Sequence, residues 1–250
     1  MRIVLLRHGE TAYNAADRFQ GQADVPLNET GVRQAQEVAR SLTPDNWGSV
    51  YSSSLSRAAQ TAAYAAGRLD VPHLRLDGLR ERHLGTLDGL DRTEFAHLHP
   101  GALRSLVTDP GYAPPGGESG HAALARFCAA LREIAEAGRR GTSRPVLVVT
   151  HGGVLNLLAR AIGGGADTPG GMVGNGRALC LATAWTADGR PRVALRQWDV
   201  APHECEHPPP PFRPLTFVGL DELSADAPTT GADALTTEAE TLTTKEVTPT

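Results

Sequence analysis

A chain of 250 residues with 40% apolar and 21% charged side chains is long enough for one sizeable core or two small domains. Its formal net charge of −4 argues against non-specific nucleic-acid binding, which needs a basic face. The balance is uneven: residues 221–250 hold seven acidic side chains against Lys245, leaving 23 bases, all arginine, against 21 acids in residues 1–220. Cys128, Cys180 and Cys205 are far apart and odd in number, so no disulfide framework is legible and a reducing compartment is expected. The apolar run before Arg7 is too short for a signal peptide or a membrane span, and a cytoplasmic protein is expected.

In chain order, Ile3-Val4-Leu5-Leu6 reads as a short buried strand. Residues 29–42 carry Val32, Ala35, Val38, Ala39 and Leu42 at helical spacing, with Pro44 just beyond. Val50-Tyr51 suggests a second strand, the alanine-rich stretch Leu55 to Leu69 a helix, and residues 73–77 a third strand. Residues 91–99 and 101–107 read as short helices in an excursion that ends at the turn Pro114-Pro115-Gly116-Gly117. Glu118 to Arg140 is amphipathic. Val146-Leu147-Val148-Val149 is the clearest buried strand, followed by a helix over 154–162. Residues 163–176 form a glycine-rich loop with neither a P-loop nor a Rossmann fingerprint, read as a flexible rim over a pocket. Residues 178–186 and 191–199 read as strands joined by the Asp188-Gly189 turn.

Strands alternating with helices imply a three-layer α/β/α sandwich with a mostly parallel central sheet and an antiparallel edge. The expected organisation is one domain over 1–204, a proline-rich extension over 205–220 that contains Pro208 to Pro211, and an acidic, Thr-rich, disordered tail over 221–250. His203, Cys205 and His207 alternate in a way that matches no common zinc site, and are read as loop.

The first strand runs into Arg7-His8-Gly9-Glu10-Thr11, and the strong later strand into Thr150-His151-Gly152-Gly153. Ligands in α/β sheets sit at the carboxyl ends of parallel strands, and helix N-termini favour anions. Two histidines and an arginine therefore converge on an anion site.

At this point the chain resembles the histidine phosphatase superfamily, also called phosphoglycerate mutase-like. The likeness rests on Arg7-His8-Gly9-Glu10-Thr11, on Asn14, and on Arg18-Phe19-Gln20-Gly21-Gln22. It continues through Asp24, Pro26-Leu27, Gly31, Ser52 to Ala58 with Gln60-Thr61-Ala62, and Leu79-Arg80-Glu81 with Gly85 and Gly89. Gly116-Gly117-Glu118-Ser119 and Val149 to Gly153 complete it, all in order over about residues 1–200. Tyr13 stands where tryptophan is common.

The resemblance implies His8 as nucleophile and a phosphohistidine intermediate. Arg7, Asn14, Arg57 and His151 would hold the phosphoryl oxygens, and Gln20 and Gly21 would line the pocket. Glu81 would be acid for the leaving alkoxide and base for water. With two arginines and a histidine neutralising charge, no metal or other cofactor is expected. Taken singly, His8 or His151 could be a structural histidine, Arg57 a solvated helix residue, and Glu81 a member of a surface ion pair with Arg80 or Arg82.

The expected activity is hydrolysis of small phosphomonoesters such as sugar phosphates or glycerate derivatives. Only 36 positions separate Glu81 from Gly117, with Arg82, Arg92 and Arg104 the only bases between, which is short for a mutase insertion. Glu81-Arg82-His83-Leu84-Gly85, in contrast, is similar to the mutase branch, so a phosphoglycerate mutase is the alternative. A non-catalytic phospholigand-binding protein is the alternative of another class. The partner expected is a small phosphorylated metabolite, not nucleic acid or membrane, and a homodimer stays open. Deleting residues 221–250 is expected to leave catalysis intact.

Overall fold

Side chains of the run Ile3 to Leu6 alternate between two faces of a sheet, because successive residues of a strand point opposite ways. All four are fully buried, so both faces must be covered. The computed structural model describes residues 1–141, 144–163, 173–205 and 218–224. In it, Ile3 and Leu5 join one apolar cluster and Val4 and Leu6 another, which defines three layers.

The sheet has the order β3-β2-β4-β1-β5-β6-β7. β1 (Arg2–Arg7), β2 (Ser49–Ser52), β3 (His73–Arg75) and β4 (Val146–Thr150) are parallel. β5 (Ala178–Trp185), β6 (Pro191–Val200) and β7 (Val218–Gly219) add an antiparallel flank. The expected architecture is therefore present, and the Asp188-Gly189 turn joins β5 to β6 with Gly189 at φ 83°.

A short helix α1 (Ala12–Ala15) follows the first strand, and α2 (Glu29–Ser41) and α3 (Ser56–Leu69) cover one face. α4 (Arg92–Leu98) and α5 (Pro100–Thr108) form the excursion, with Phe19, Leu87 and Phe95 as its own small core. α6 (Gly120–Arg140) and α7 (Gly152–Gly163) cover the opposite face. Ser119 caps α6 by accepting from the Ala122 amide at 3.1 Å, so the helix begins two residues later than periodicity suggests. α7 starts two residues earlier than expected, directly after His151. The third strand stops at Arg75, because Asp77–Leu79 turns into a 3₁₀ helix that aims the next residues toward the carboxyl edge.

One boundary needs correction. Asp221 to Ser224 is not tail: it belongs to α8 (Leu220–Ser224), which follows β7. α8 buries Leu220 and Leu223 against the α6 side, and Asp221 pairs with Arg132. Pro208 to Pro211, His207 and residues 225–250 lie outside the described residues. Cys205 closes a 3₁₀ turn (Pro202–Cys205) and is buried in the second apolar cluster with Cys180, while His203 is exposed. No helix among the described residues is long and apolar enough to cross a membrane.

Candidate active site

Arg7 pairs with Thr150 in the β1–β4 ladder, so His8 and His151 leave adjacent strands at the same height. The His8 amide continues the ladder by donating to Thr150 O at 3.0 Å. Their rings meet edge to face with centroids 5.1 Å apart, and both are buried.

Close backbone contact holds the loop after β1. Gly9 and Gly31 lie against one another: a Cβ on Gly9 would stand 2.5 Å from Gly31 O, and one on Gly31 would overlap Glu10 O. The Gly9 amide donates to Thr61 Oγ1 at 3.1 Å, and that hydroxyl donates to Arg57 O at 2.8 Å. Thr61 thus links the loop to the helix that carries Arg57.

Arg57 is fully buried at the start of α3. Its Nε–H lies 3.2 Å from both His8 Nε2 and His151 Nδ1. Its two terminal nitrogens donate to Ala23 O at 2.7 Å and Gly21 O at 2.8 Å. Burial lowers its pKa to about 10, against the opposing pull of Glu81, Asp24 and Asp88, so it stays cationic at neutral pH.

These bonds fix the histidine tautomers. His8 Nδ1 is 2.6 Å from Gly9 O, an acceptor, so Nδ1 carries the proton and Nε2 the lone pair. His151 Nδ1 accepts from Arg57, so Nε2 carries the proton, and that buried Nε2 has no partner among the described residues. Burial, and then the nearby Arg57 charge, hold both imidazoles well below the ordinary histidine pKa. Two neutral rings therefore offer complementary atoms: a lone pair on His8 and an unused N–H on His151.

Arg7 anchors one terminal nitrogen on Val173 O at 2.6 Å, while its buried Nε has no partner among the described residues. Asn14 Oδ1 accepts from the Thr11 amide and hydroxyl, each at 3.2 Å, in a capping box that starts α1. Gln20 Oε1 is likewise buried and without a partner among the described residues.

Glu81 comes from the segment after the 3₁₀ turn. Its oxygens accept from the amides of Gly153 at 2.8 Å and Val154 at 3.0 Å in the first turn of α7, and from Arg82 N at 2.8 Å. The backbone of 78–81 hangs on Arg126 of α6, which donates to Gly78 O, Arg80 O and Glu81 O and to Glu118 Oε1. Arg82 points away: its guanidinium donates to Glu118 O, Leu106 O and Tyr112 O.

The structure thus gathers Arg7, His8, Asn14, Gly21, Arg57, Glu81 and His151 at the carboxyl edge of β1 and β4, with Gln20 beside Gly21. Sequence reasoning missed Asn175, Thr61 and Arg126. Asn175 lies in the stretch read as a rim, whose residues 164–172 are outside the described residues, and donates to His8 O at 2.9 Å. Thr61 had one local signal, its place one helical turn after Arg57. Arg126 had none.

The arrangement is a cationic, hydrogen-bond-rich cradle with one unprotonated imidazole nitrogen and one carboxyl group. The chain as a whole is similar to known proteins. The sequence pattern of the histidine phosphatase superfamily (branch 1) matches residues 3–196. The glucosyl-3-phosphoglycerate phosphatase of Mycolicibacterium vanbaalenii is 37% identical over 198 residues, 76% of this chain and 88% of that protein. The metal-independent phosphoserine phosphatase of Arabidopsis thaliana is 41% identical over 160 residues, 62% of this chain and 66% of that one. A solved mycobacterial glucosyl-3-phosphoglycerate phosphatase in complex with VO3 superimposes with a TM-score of 0.70 at 33% identity, covering 80% of this chain and 99% of that one. The chain belongs to the histidine phosphatase superfamily, branch 1, and its fold is phosphoglycerate mutase-like.

Proposed function

We propose that the chain is a metal-independent phosphatase of small phosphomonoesters that works through a phosphohistidine on His8. The observation that carries this reading is the Nδ1–Gly9 O bond, which leaves His8 Nε2 unprotonated, its lone pair facing the Arg57 Nε–H at 3.2 Å. In the first half-reaction Nε2 attacks phosphorus in line, and the P–O bond to the leaving group breaks. Glu81 gives that oxygen its proton. In the second, Glu81 takes a proton from water as the water oxygen attacks phosphorus. The P–N bond breaks, returning neutral His8 and inorganic phosphate. Arg7, Arg57, Asn14 and the unused His151 N–H neutralise and hold the equatorial oxygens, so the charge is met without a metal ion.

Water rather than a second hydroxyl as acceptor is supported by the excursion. Of its three bases, Arg82 is occupied by backbone carbonyls, Arg104 is exposed on α5, and Arg92 stacks 4.9 Å over the Phe19 ring. Few cations remain to hold a second phosphate in place. The glycerate-derived and amino-acid phosphates named for the similar proteins support small carboxylated or sugar monoesters as substrates.

The test is rapid quench with 32P-labelled phosphomonoesters. Label on the protein that is stable to alkali and labile to acid, absent in His8→Ala and unchanged by EDTA, is expected. Full turnover by His8→Ala would refute the mechanism. Efficient exchange between 2- and 3-phosphoglycerate with little free phosphate would favour the mutase instead.

A further inference from the structure

We propose that Asn175 is a positioning residue that sets the phosphoryl-binding amide of Asn14 against the nucleophile. This rests on the reading that Asn14 holds a phosphoryl oxygen.

The segment Val173 to Arg177 is stitched to the end of β1. Arg7 N donates to Arg177 O at 2.9 Å, Gly176 N donates to Arg7 O at 3.1 Å, and the Arg7 guanidinium donates to Val173 O. From this backbone the Asn175 side chain reaches inward. Its Nδ2 donates to His8 O at 2.9 Å and to Asn14 Oδ1 at 3.4 Å. One amide group therefore bridges the main chain of the nucleophile and the side chain of the oxyanion ligand.

The bridge has a chemical consequence at Asn14. Its Oδ1 already accepts from the Thr11 amide and hydroxyl, and Asn175 adds a third donor on the same oxygen. A carboxamide whose oxygen is surrounded by donors must turn its Nδ2 the other way. That end is a pure donor, suited to a phosphoryl oxygen and unsuited to its alkyl group. Asn175 thus reinforces the orientation that the Thr11 amide gives Asn14 and ties its place to His8. Catalytic groups lose efficiency when misplaced by fractions of an ångström, so the cost should fall on the transition state rather than on substrate binding.

The experiment uses the full chain and four variants: Asn175→Ala, the near-isosteric and uncharged Asn175→Leu, Asn14→Ala, and the Asn14→Ala/Asn175→Ala double. Melting temperature, kcat, KM and orthovanadate inhibition are measured for each. The expectation for both Asn175 variants is a kcat about 10–100-fold lower. Vanadate inhibition should weaken in parallel, KM should stay within about threefold, and the double variant should be no worse than the poorer single. If alanine lowers the melting temperature, the leucine variant carries the measurement, since it keeps the approximate shape and removes the donor without adding a charge. Wild-type kcat in the Asn175 variants beside an impaired Asn14→Ala overturns the proposal and leaves the reading of Asn14 standing. Multiplying losses in the double also overturn it, because Asn175 would then act independently. Full turnover by Asn14→Ala overturns it too, and locates the fault in the phosphoryl-contact reading itself.

Discussion

Arg57 Nε lies 3.2 Å from His8 Nε2, the same atom that carries the lone pair. The guanidinium is held in that place by Gly21 O and Ala23 O, bonds that a lysine ammonium cannot reproduce together. Arg57→Lys keeps the charge and loses the fork. Its kcat is expected to fall about 10²–10³-fold, as when one oxyanion donor is removed. Steady-state turnover beside a thermal melt checks it, and activity within threefold of wild type would show that charge alone suffices.

Glu81 depends on an absent side chain. A Cβ on Gly153 would stand 2.5 Å from Glu81 Oε1 and 2.9 Å from Cδ, so Gly153→Ala must push the carboxylate off the α7 amides. The expected result is a large fall in kcat, approaching that of Glu81→Gln, which should lose about 10²–10⁴-fold. Both losses should shrink with p-nitrophenyl phosphate, whose leaving group needs no proton. Equal losses on good and poor leaving groups would remove Glu81 from protonating the leaving oxygen and leave it only the action on water.

The buried histidines predict a direction for pH dependence. In the unfolded chain His8 and His151 take up protons as pH falls past about 6.5; in the folded protein they do so only at much lower pH. The unfolded state therefore binds more protons in that window, and stability present above pH 6.5 is lost as pH falls below it. The limiting slope is about 1.4 kcal/mol per pH unit for each histidine. Melting temperature should drop between pH 7 and 5, with a shallower drop in His151→Asn. The kcat/KM profile should show no acidic limb at 6.5, since His8 stays neutral there. A limb at that pH that persists with a substrate of shifted phosphate ionisation would mean that His8 titrates as an ordinary histidine.

The C-terminal boundary gives a truncation series. Removing 225–250 should leave melting temperature and turnover unchanged. Removing 218–250 takes away β7 and α8, with buried Leu220 and Leu223 and the Asp221 partner of Arg132. Each leucine contributes about 1.5–3 kcal/mol by burial, so a drop in melting temperature of several degrees is expected from the shorter chain. Identical melts for the two truncations would show that β7 and α8 add nothing to the stability of the fold.

Much of this was legible where structure is local. Runs such as Ile3–Leu6 and Val146–Val149 announce strands buried on both faces, and the residues after them fall at the ligand edge. Asp188-Gly189 announces its hairpin. β7 and α8 escaped notice because two strand residues and five helical ones, rich in Asp and Glu, carry too little periodicity to stand out. Arg82 and Arg126 are ordinary arginines in sequence. Their partners are carbonyls 24 to 48 positions away, a relation that no local pattern encodes. Asn175 was obscured by its glycine-rich surroundings, which read as slack chain although the Val173 to Arg177 stretch is bonded along its length to β1.

The pairing of Arg7 with Thr150 makes the distance between the two histidines a matter of ladder register. Strand register changes only in whole residues, and a slip by one would turn His151 to the opposite face. Small changes of side-chain volume in α2, α3, α6 or α7 cannot tune that spacing gradually. Away from Arg57, Thr61, Arg126, Gly153 and the glycine contact at Gly31, the helical layers are accordingly free to drift in sequence, while the histidine pair either keeps its geometry or loses it outright.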